Sequence, residues 1–150
     1  EYEEEGVVIA YTSVYGNTKK AVTLLKEKLK EKGKLKVRVI DLTRGDRSEA
    51  VAEAFRYNTL ILATTTYNGD VFPAMREFIN CLIERNFCKR RVAFIENGSW
   101  ATAATKVMRE KLEKCKGLEF VDTSVKITSV LSEESISQLE IMVNELCKNE

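Results

Sequence analysis

The sequence predicts a doubly wound α/β domain, a parallel sheet covered by helices on both faces. Three observations carry that reading. Short apolar runs alternate strictly with longer amphipathic ones, the βαβα order of a parallel sheet. The apolar runs are nearly continuous rather than alternating, as strands buried on both faces require. The chain has 150 residues, 44% apolar and 31% charged, which is the length and balance of one globular domain.

The acidic start EYEEEG (1–6) carries no fold signal and reads as a linker or frayed end, with the domain proper at 7–150. The first strand candidate is VVIAYT (7–12), followed by a helical pattern in which Ala21, Leu25 and Leu29 recur every fourth position. KVRVIDL (36–42) is the second strand. A short helix over about 48–56 follows, with Asp46 and Glu49 spaced as a capping box. NTLILATT (58–65) is the third strand, and Phe72, Met75, Ile79, Leu82 and Ile83 form the core stripe of the next helix. RVAFIEN (91–97) is the fourth strand, followed by a stripe of Ala104, Val107, Met108, Leu112 and Cys115. SVKITSVL (124–131) is the fifth. Ser132 before Glu133 and Glu134 predicts a capped start for the last helix, striped by Ile136, Leu139, Val143 and Leu146.

Composition narrows the function. A net charge of +1 points to neither nucleic acid nor a membrane surface. No apolar run approaches the roughly 20 residues that span a bilayer, and no secretory signal is visible. A chain opening at Glu1 without Met reads as processed or excised. Cys81, Cys88, Cys115 and Cys147 form no CxxC pair and read as reduced, intracellular packing thiols. Histidine is absent, which removes Ser-His-Asp and Cys-His catalysis and the imidazole ligands of most zinc and di-iron sites. The chemistry is therefore expected from a bound cofactor, with no catalytic side chain and no metal ligand in this chain.

In doubly wound sheets, ligands sit beyond the carboxyl ends of the strands, where the strand order reverses. Three loops there have unusual composition. The first, within YTSVYGNTKK (11–20), leads from strand into helix through Thr12, Ser13, Gly16, Asn17 and Thr18. Free N–H groups of a helix's first turn bind phosphate, and this loop adds neutral donors. It is neither a Walker A loop nor GxGxxG, so a dinucleotide such as FAD is not expected; the plainer alternative is a polar N-cap. The second loop, TTTYNGD (64–70), has an Asn-Gly turn signal and Tyr67, which offers a flat face. The third, ENGSWA (96–101), holds the only tryptophan, Trp100, poorly placed for a core and well placed to stack on a ring. For each of these two, an ordinary turn or helix cover is the alternative. Together the three describe a site for one flat, phosphorylated molecule, and FMN fits best.

On these motifs, residues 7–148 resemble a flavodoxin-like domain, which implies a five-stranded parallel sheet of order 2-1-3-4-5. The first loop resembles the flavodoxin phosphate loop Ser/Thr-x-Thr-Gly-x-Thr, with Tyr15 in place of the middle Thr. That substitution, with TYNGDVFPAMREFI and RVAFIENGSWATAATKVMRE, is most similar to the carboxy-terminal FMN domain of the flavodiiron proteins (A-type flavoproteins). TTT at 64–66 departs from the Ser-Pro-Thr frequent there. By matching position, the resemblance implies that Ser13, Val14, Tyr15, Gly16, Asn17 and Thr18 wrap the FMN phosphate. Thr65, Thr66, Tyr67, Asn68 and Gly69 would line the ribityl chain and ring, and Asn97, Gly98, Ser99 and Trp100 would close the other side.

The resemblance further implies an electron-transfer module of the cytoplasm. A rubredoxin-like protein or an NAD(P)H-linked reductase would supply electrons, and a di-iron centre in a preceding β-lactamase-like domain would use them on O2 or NO. The full-length protein would be a candidate homodimer. A free-standing flavodoxin-type carrier and an FMN-dependent NAD(P)H or quinone reductase are the competing readings. A non-redox module that has lost the flavin is a third. Nine basic and two acidic residues between Lys19 and Arg38 suggest either a solvated helix face or a dock for an acidic redox partner.

Overall fold

Strands apolar on both faces must be covered on both, and the chain supplies a helix for each crossover. The structure, a computed structural model, describes residues 4–12, 17–33, 36–67, 70–97, 104–121, 124–127 and 132–147. Along the chain run β1 (Glu4–Tyr11), α1 (Asn17–Glu31), β2 (Val37–Asp41), α2 (Arg47–Arg56), β3 (Tyr57–Tyr67), β4 (Asp70–Val71) and α3 (Pro73–Glu84). Then follow β5 (Arg91–Asn97), α4 (Ala104–Leu112), β6 (Glu119–Phe120), β7 (Val125–Ile127) and α5 (Glu133–Cys147). The sheet order is β2-β1-β3-β5-β6, with β7 beside the later part of β5. All these pairings are parallel, and only the short β4 lies antiparallel, against the end of β3. Counting β6 and β7 as one interrupted position, this is the predicted 2-1-3-4-5 order.

Side chains alternate across each strand, so one strand feeds two cores. Val8 and Ala10 of β1 join Leu60 and Leu62 of β3 under α2, α3 and α4, where Phe78, Ile79, Leu82 and Met108 are fully buried. Val7, Ile9 and Tyr11 turn the other way, against Ala21, Leu25 and Leu29 of α1 and Leu139, Met142 and Val143 of α5. The α1 and α2 crossovers thus lie on opposite faces, and the strand order reverses between β1 and β3, opening a crevice at their carboxyl ends.

Three elements differ from the sequence expectation. Glu4, Glu5 and Gly6, expected in the linker, belong to β1. Lys36, 2.9 Å from the Glu4 carboxylate, and Arg56, at 3.4 Å, anchor that end, and the Lys36 contact holds the Glu4 carboxyl below its ordinary value. The fifth strand, expected over 124–131, is described as Val125–Ile127, and Glu119–Phe120 pairs separately with the start of β5. The capping box is half realised. Asp46 caps α2 by accepting from the Ser48 amide at 2.8 Å, but the Glu49 carboxylate goes to Arg38 at 3.1 Å. By contrast Ser132 caps α5 as expected, accepting from the Ser135 amide at 3.2 Å.

One buried cation ties the amino end of the sheet together. Arg90, 4% exposed, donates from Nε to the Tyr57 carbonyl at 3.1 Å. Its Nη1 reaches the Cys88 carbonyl and its Nη2 the Phe55 carbonyl, both at 2.6 Å. The guanidinium also faces the Phe87 and Phe55 rings at 5.5 and 5.9 Å. Only a planar fork serves carbonyls in several directions while stacking on rings. Arg90→Met should therefore strand three carbonyls and cost about 3 kcal/mol in urea unfolding, and Arg90→Lys should restore less than half of that loss.

Candidate functional site

The carboxyl ends of β1, β3 and β5 stand side by side because their register is fixed. Tyr11 pairs with Ala63, and Ala63, Thr64 and Thr65 pair with Ile95, Glu96 and Asn97. At the next step the Thr12 amide donates to the Ala63 carbonyl at 2.9 Å. Three loops therefore leave one rim, and they are the loops singled out by composition.

Polar side chains replace apolar ones towards the carboxyl ends of these strands, and each goes to the face dictated by alternation. Thr12, Thr64 and Glu96 form a row on the α3–α4 side, all at most 1% exposed. The Thr12 and Thr64 hydroxyls bond each other at 2.6 Å. Glu96 neighbours Thr64 across the strands, and its Oε2 has no hydrogen-bond partner among the described residues. On the α1–α5 side, Asn97 donates from Nδ2 to Thr18 Oγ1 at 3.4 Å. That contact links the end of β5 to the first turn of α1, and Thr18 is 1% exposed there.

The first turn of α1 contains no acidic residue, as in α3 and α4, whereas α2 carries Glu49 and α5 carries Glu133 and Glu134 in theirs. Acids in a first turn neutralise the positive dipole end and its free N–H groups. Leaving them out of α1 keeps that end open to an external anion. A 15-residue helix with a buried threonine hydroxyl in its opening turn fits a phosphate. Next to this crevice, burial and the nearby Asp41 push the Tyr11 hydroxyl above its ordinary value, so it stays neutral.

The structure brings Thr18 and Asn97 together and sets Thr65 beside Asn97 in the sheet. Asn17 opens α1, and Thr66 and Tyr67 close β3, pairing with Val71 and Asp70 of β4. The Asn-Gly turn signal at 68–69 lies outside the described residues. Ser13, Val14, Tyr15, Gly16, Asn68, Gly69, Gly98, Ser99 and Trp100 lie outside the described residues. Glu96 was missed by sequence reasoning. The signal was present: it is a lone carboxylate near the end of the otherwise apolar run VAFI.

A cavity of about 470 Å³ between α1 and α5 lies elsewhere, towards the amino end, and is lined by Lys28, Lys32, Glu140 and Asn144. The Lys28–Glu140 ion pair at 2.7 Å belongs to it.

The buried hydroxyl pair gives a measurable signature. Thr64→Val alone should cost about 1–3 kcal/mol in chemical unfolding, because it leaves the Thr12 hydroxyl buried and unpaired. Thr12→Val added to it should recover part of that loss, a non-additivity read by a double-mutant cycle.

Comparison with known proteins agrees with this geometry. Residues 8–130 match the family model of the flavodoxin domain. The rubredoxin oxygen:oxidoreductase of Desulfovibrio gigas superposes with a TM-score of 0.90 at 21% identity, over 98% of this chain and 36% of that one. A flavodoxin from the Archaea superposes with a TM-score of 0.79 at 17% identity, over 95% of this chain and 96% of that one. Among curated proteins, the anaerobic nitric oxide reductase flavorubredoxin of Escherichia coli O1:K1 is 19% identical over 114 residues. That match covers 75% of this chain and 24% of that protein, so the chain spans about a quarter of the length of such relatives. Flavodoxin domains bind FMN, the ligand that the three rim loops indicate. With the family model matching most of the chain, on a sheet of the expected order, the protein belongs to the flavodoxin domain family.

Proposed function

We propose that this chain is the FMN-binding electron-transfer domain of a flavodiiron-type oxidoreductase, working in the cytoplasm. The observation that carries the binding reading is the acid-free first turn of α1, with buried Thr18 tied to Asn97 of β5. The flavodiiron reading is supported by the superposition on about a third of the Desulfovibrio gigas oxidoreductase. In this reading a rubredoxin-like protein or an NAD(P)H-linked reductase supplies electrons. They pass to a di-iron centre held by another domain, which reduces O2 or NO. A free-standing carrier is the second reading, supported by the archaeal flavodoxin, which this chain matches over nearly its full length.

FMN supplies one- and two-electron transfer when bound, and the chain's own groups bind and tune it. Asn17, Thr18 and the α1 amides would hold the phosphate, with Ser13 to Gly16 completing the loop. Thr65 to Gly69 would line one side of the ligand, and Asn97 to Trp100 the other. Aromatic cover excludes water from one ring face, which disfavours added negative charge there. The hydrogen-bonded, two-face-buried strand ends of β1, β3 and β5 would give the cofactor a rigid base.

Reduced, FMN-loaded protein mixed with a flavin-free di-iron domain and NO or O2 in stopped flow should be reoxidised faster than without that domain. Equal rates would count against the flavodiiron reading, and rapid bleaching by NAD(P)H alone would favour a reductase. The released flavin should chromatograph as FMN; recovery of FAD would remove the phosphate-loop reading. Asn17→Ala with Thr18→Ala should weaken FMN far more than riboflavin, each lost bond to a charged phosphate costing about 1.5–3 kcal/mol. Trp100 fluorescence should be quenched by FMN and recover on its removal. Trp100→Ala should loosen FMN by about 0.5–1.5 kcal/mol and raise the potential for the second electron.

A further inference from the structure

Two of the four cysteines, Cys88 and Cys115, line one groove at the end of the sheet opposite the cofactor rim. Cys88 leads into β5, and Cys115 follows α4 in a turn closed by its own amide on the Leu112 carbonyl at 2.9 Å. The chain segments carrying them run side by side. The Lys89 amide donates to the Lys116 carbonyl at 3.0 Å, and the Glu119 amide to the Arg90 carbonyl at 2.9 Å. A Cβ on Gly117 would stand 3.6 Å from the Lys89 Cα. Each cysteine thus immediately precedes one member of a hydrogen-bonded backbone pair.

Both thiols are half-buried and free, and both line one groove of about 330 Å³ with Asn86, Lys89, Lys114 and Lys116. The three lysine side chains are exposed. Three exposed ammonium groups at the groove attract a carboxylate-bearing reagent. Cys81, by contrast, lines a different groove with Arg47 and Arg85, and Cys147 closes α5.

We propose that Cys88 and Cys115 are a dithiol pair that exchanges with an anionic low-molecular-weight disulfide of the glutathione type. The Cys88 thiolate attacks one sulfur of that disulfide, forming a mixed disulfide and releasing one thiol. The Cys115 thiol then loses its proton to solvent and attacks the Cys88 sulfur, releasing the second thiol. The two cysteines are oxidised to one disulfide, and the reagent's disulfide is reduced to two thiols. Burial, with the Cys88 thiol beside it, pushes the Cys115 thiol above its ordinary value. That places Cys115 second in the sequence of attack. The bridge would tie the start of β5 to the α4–β6 connection. It is independent of which electron acceptor the domain serves.

The native protein is incubated with glutathione disulfide, quenched in acid, alkylated and mapped by mass spectrometry. The expected product is a Cys88–Cys115 cross-linked peptide, with Cys81 and Cys147 fully alkylated. Cys115→Ser should stop at a stable glutathione adduct on Cys88, and a neutral disulfide such as 2-hydroxyethyl disulfide should react several-fold more slowly. Three results would overturn the proposal: four alkylated cysteines, a wild-type adduct that never closes, or cross-links through Cys81 or Cys147. Equal rates for the charged and neutral reagents would overturn the role given to the lysines. The wild-type map decides the pairing even where a serine variant folds poorly.

Discussion

The register that locks β1, β3 and β5 is the constraint on which the other features depend. Because Tyr11, Ala63 and Ile95 are level across the sheet, the three strands run out together. A slip of one residue would exchange the two faces of a strand, sending Thr64 into the α1–α5 core and Ala63 towards Thr12. The apolar residues enforce the register through the two cores, and the polar ones report it at the rim. The carboxyl ends of β1, β3 and β5 therefore form one rim.

At that surface the chain exchanges apolar burial for polar contacts without losing close packing. The 2.6 Å hydroxyl bond between Thr12 and Thr64 satisfies two buried groups that would each cost on the order of 1–3 kcal/mol if left unpaired. Glu96 completes the row, with one carboxyl oxygen that has no hydrogen-bond partner among the described residues. A buried carboxylate of that kind is rare away from functional sites, and it lies one residue before the Asn97 that reaches α1. The rim is stiff below and polar above, which suits a ligand that must be held firmly while its charge changes.

Electrostatics separates the two ends of the sheet. At the carboxyl rim the helix dipole of α1 is left without an acidic counter-group, and neutral donors approach it. At the amino end the basic side chains are placed differently. Arg90 is buried and bonded to backbone carbonyls, while Lys89, Lys114 and Lys116 surround an open groove. The same formal charge therefore serves cohesion when buried on carbonyls and recognition when exposed beside thiols.

The fold was largely legible in the sequence, because strand and helix periods are local properties of neighbouring residues. The apolar runs located β1, β2, β3 and β5, the four-residue spacings located α1 and α3 to α5, and Ser132 marked the start of α5. Loop composition pointed to the rim, and in the structure Thr18 and Asn97 meet there although 79 residues separate them. Tertiary structure decided what depends on distant partners. Glu49 bonds Arg38 because β2 lies beside α2, Glu4 to Gly6 extend a strand because Lys36 and Arg56 are at hand, and Glu119–Phe120 and Val125–Ile127 pair with successive stretches of one edge of β5. Which polar groups at the rim would be paired and which left alone was also beyond local pattern. A hydroxyl or carboxylate finds its partner across the sheet, and only the register between strands says which residue stands opposite.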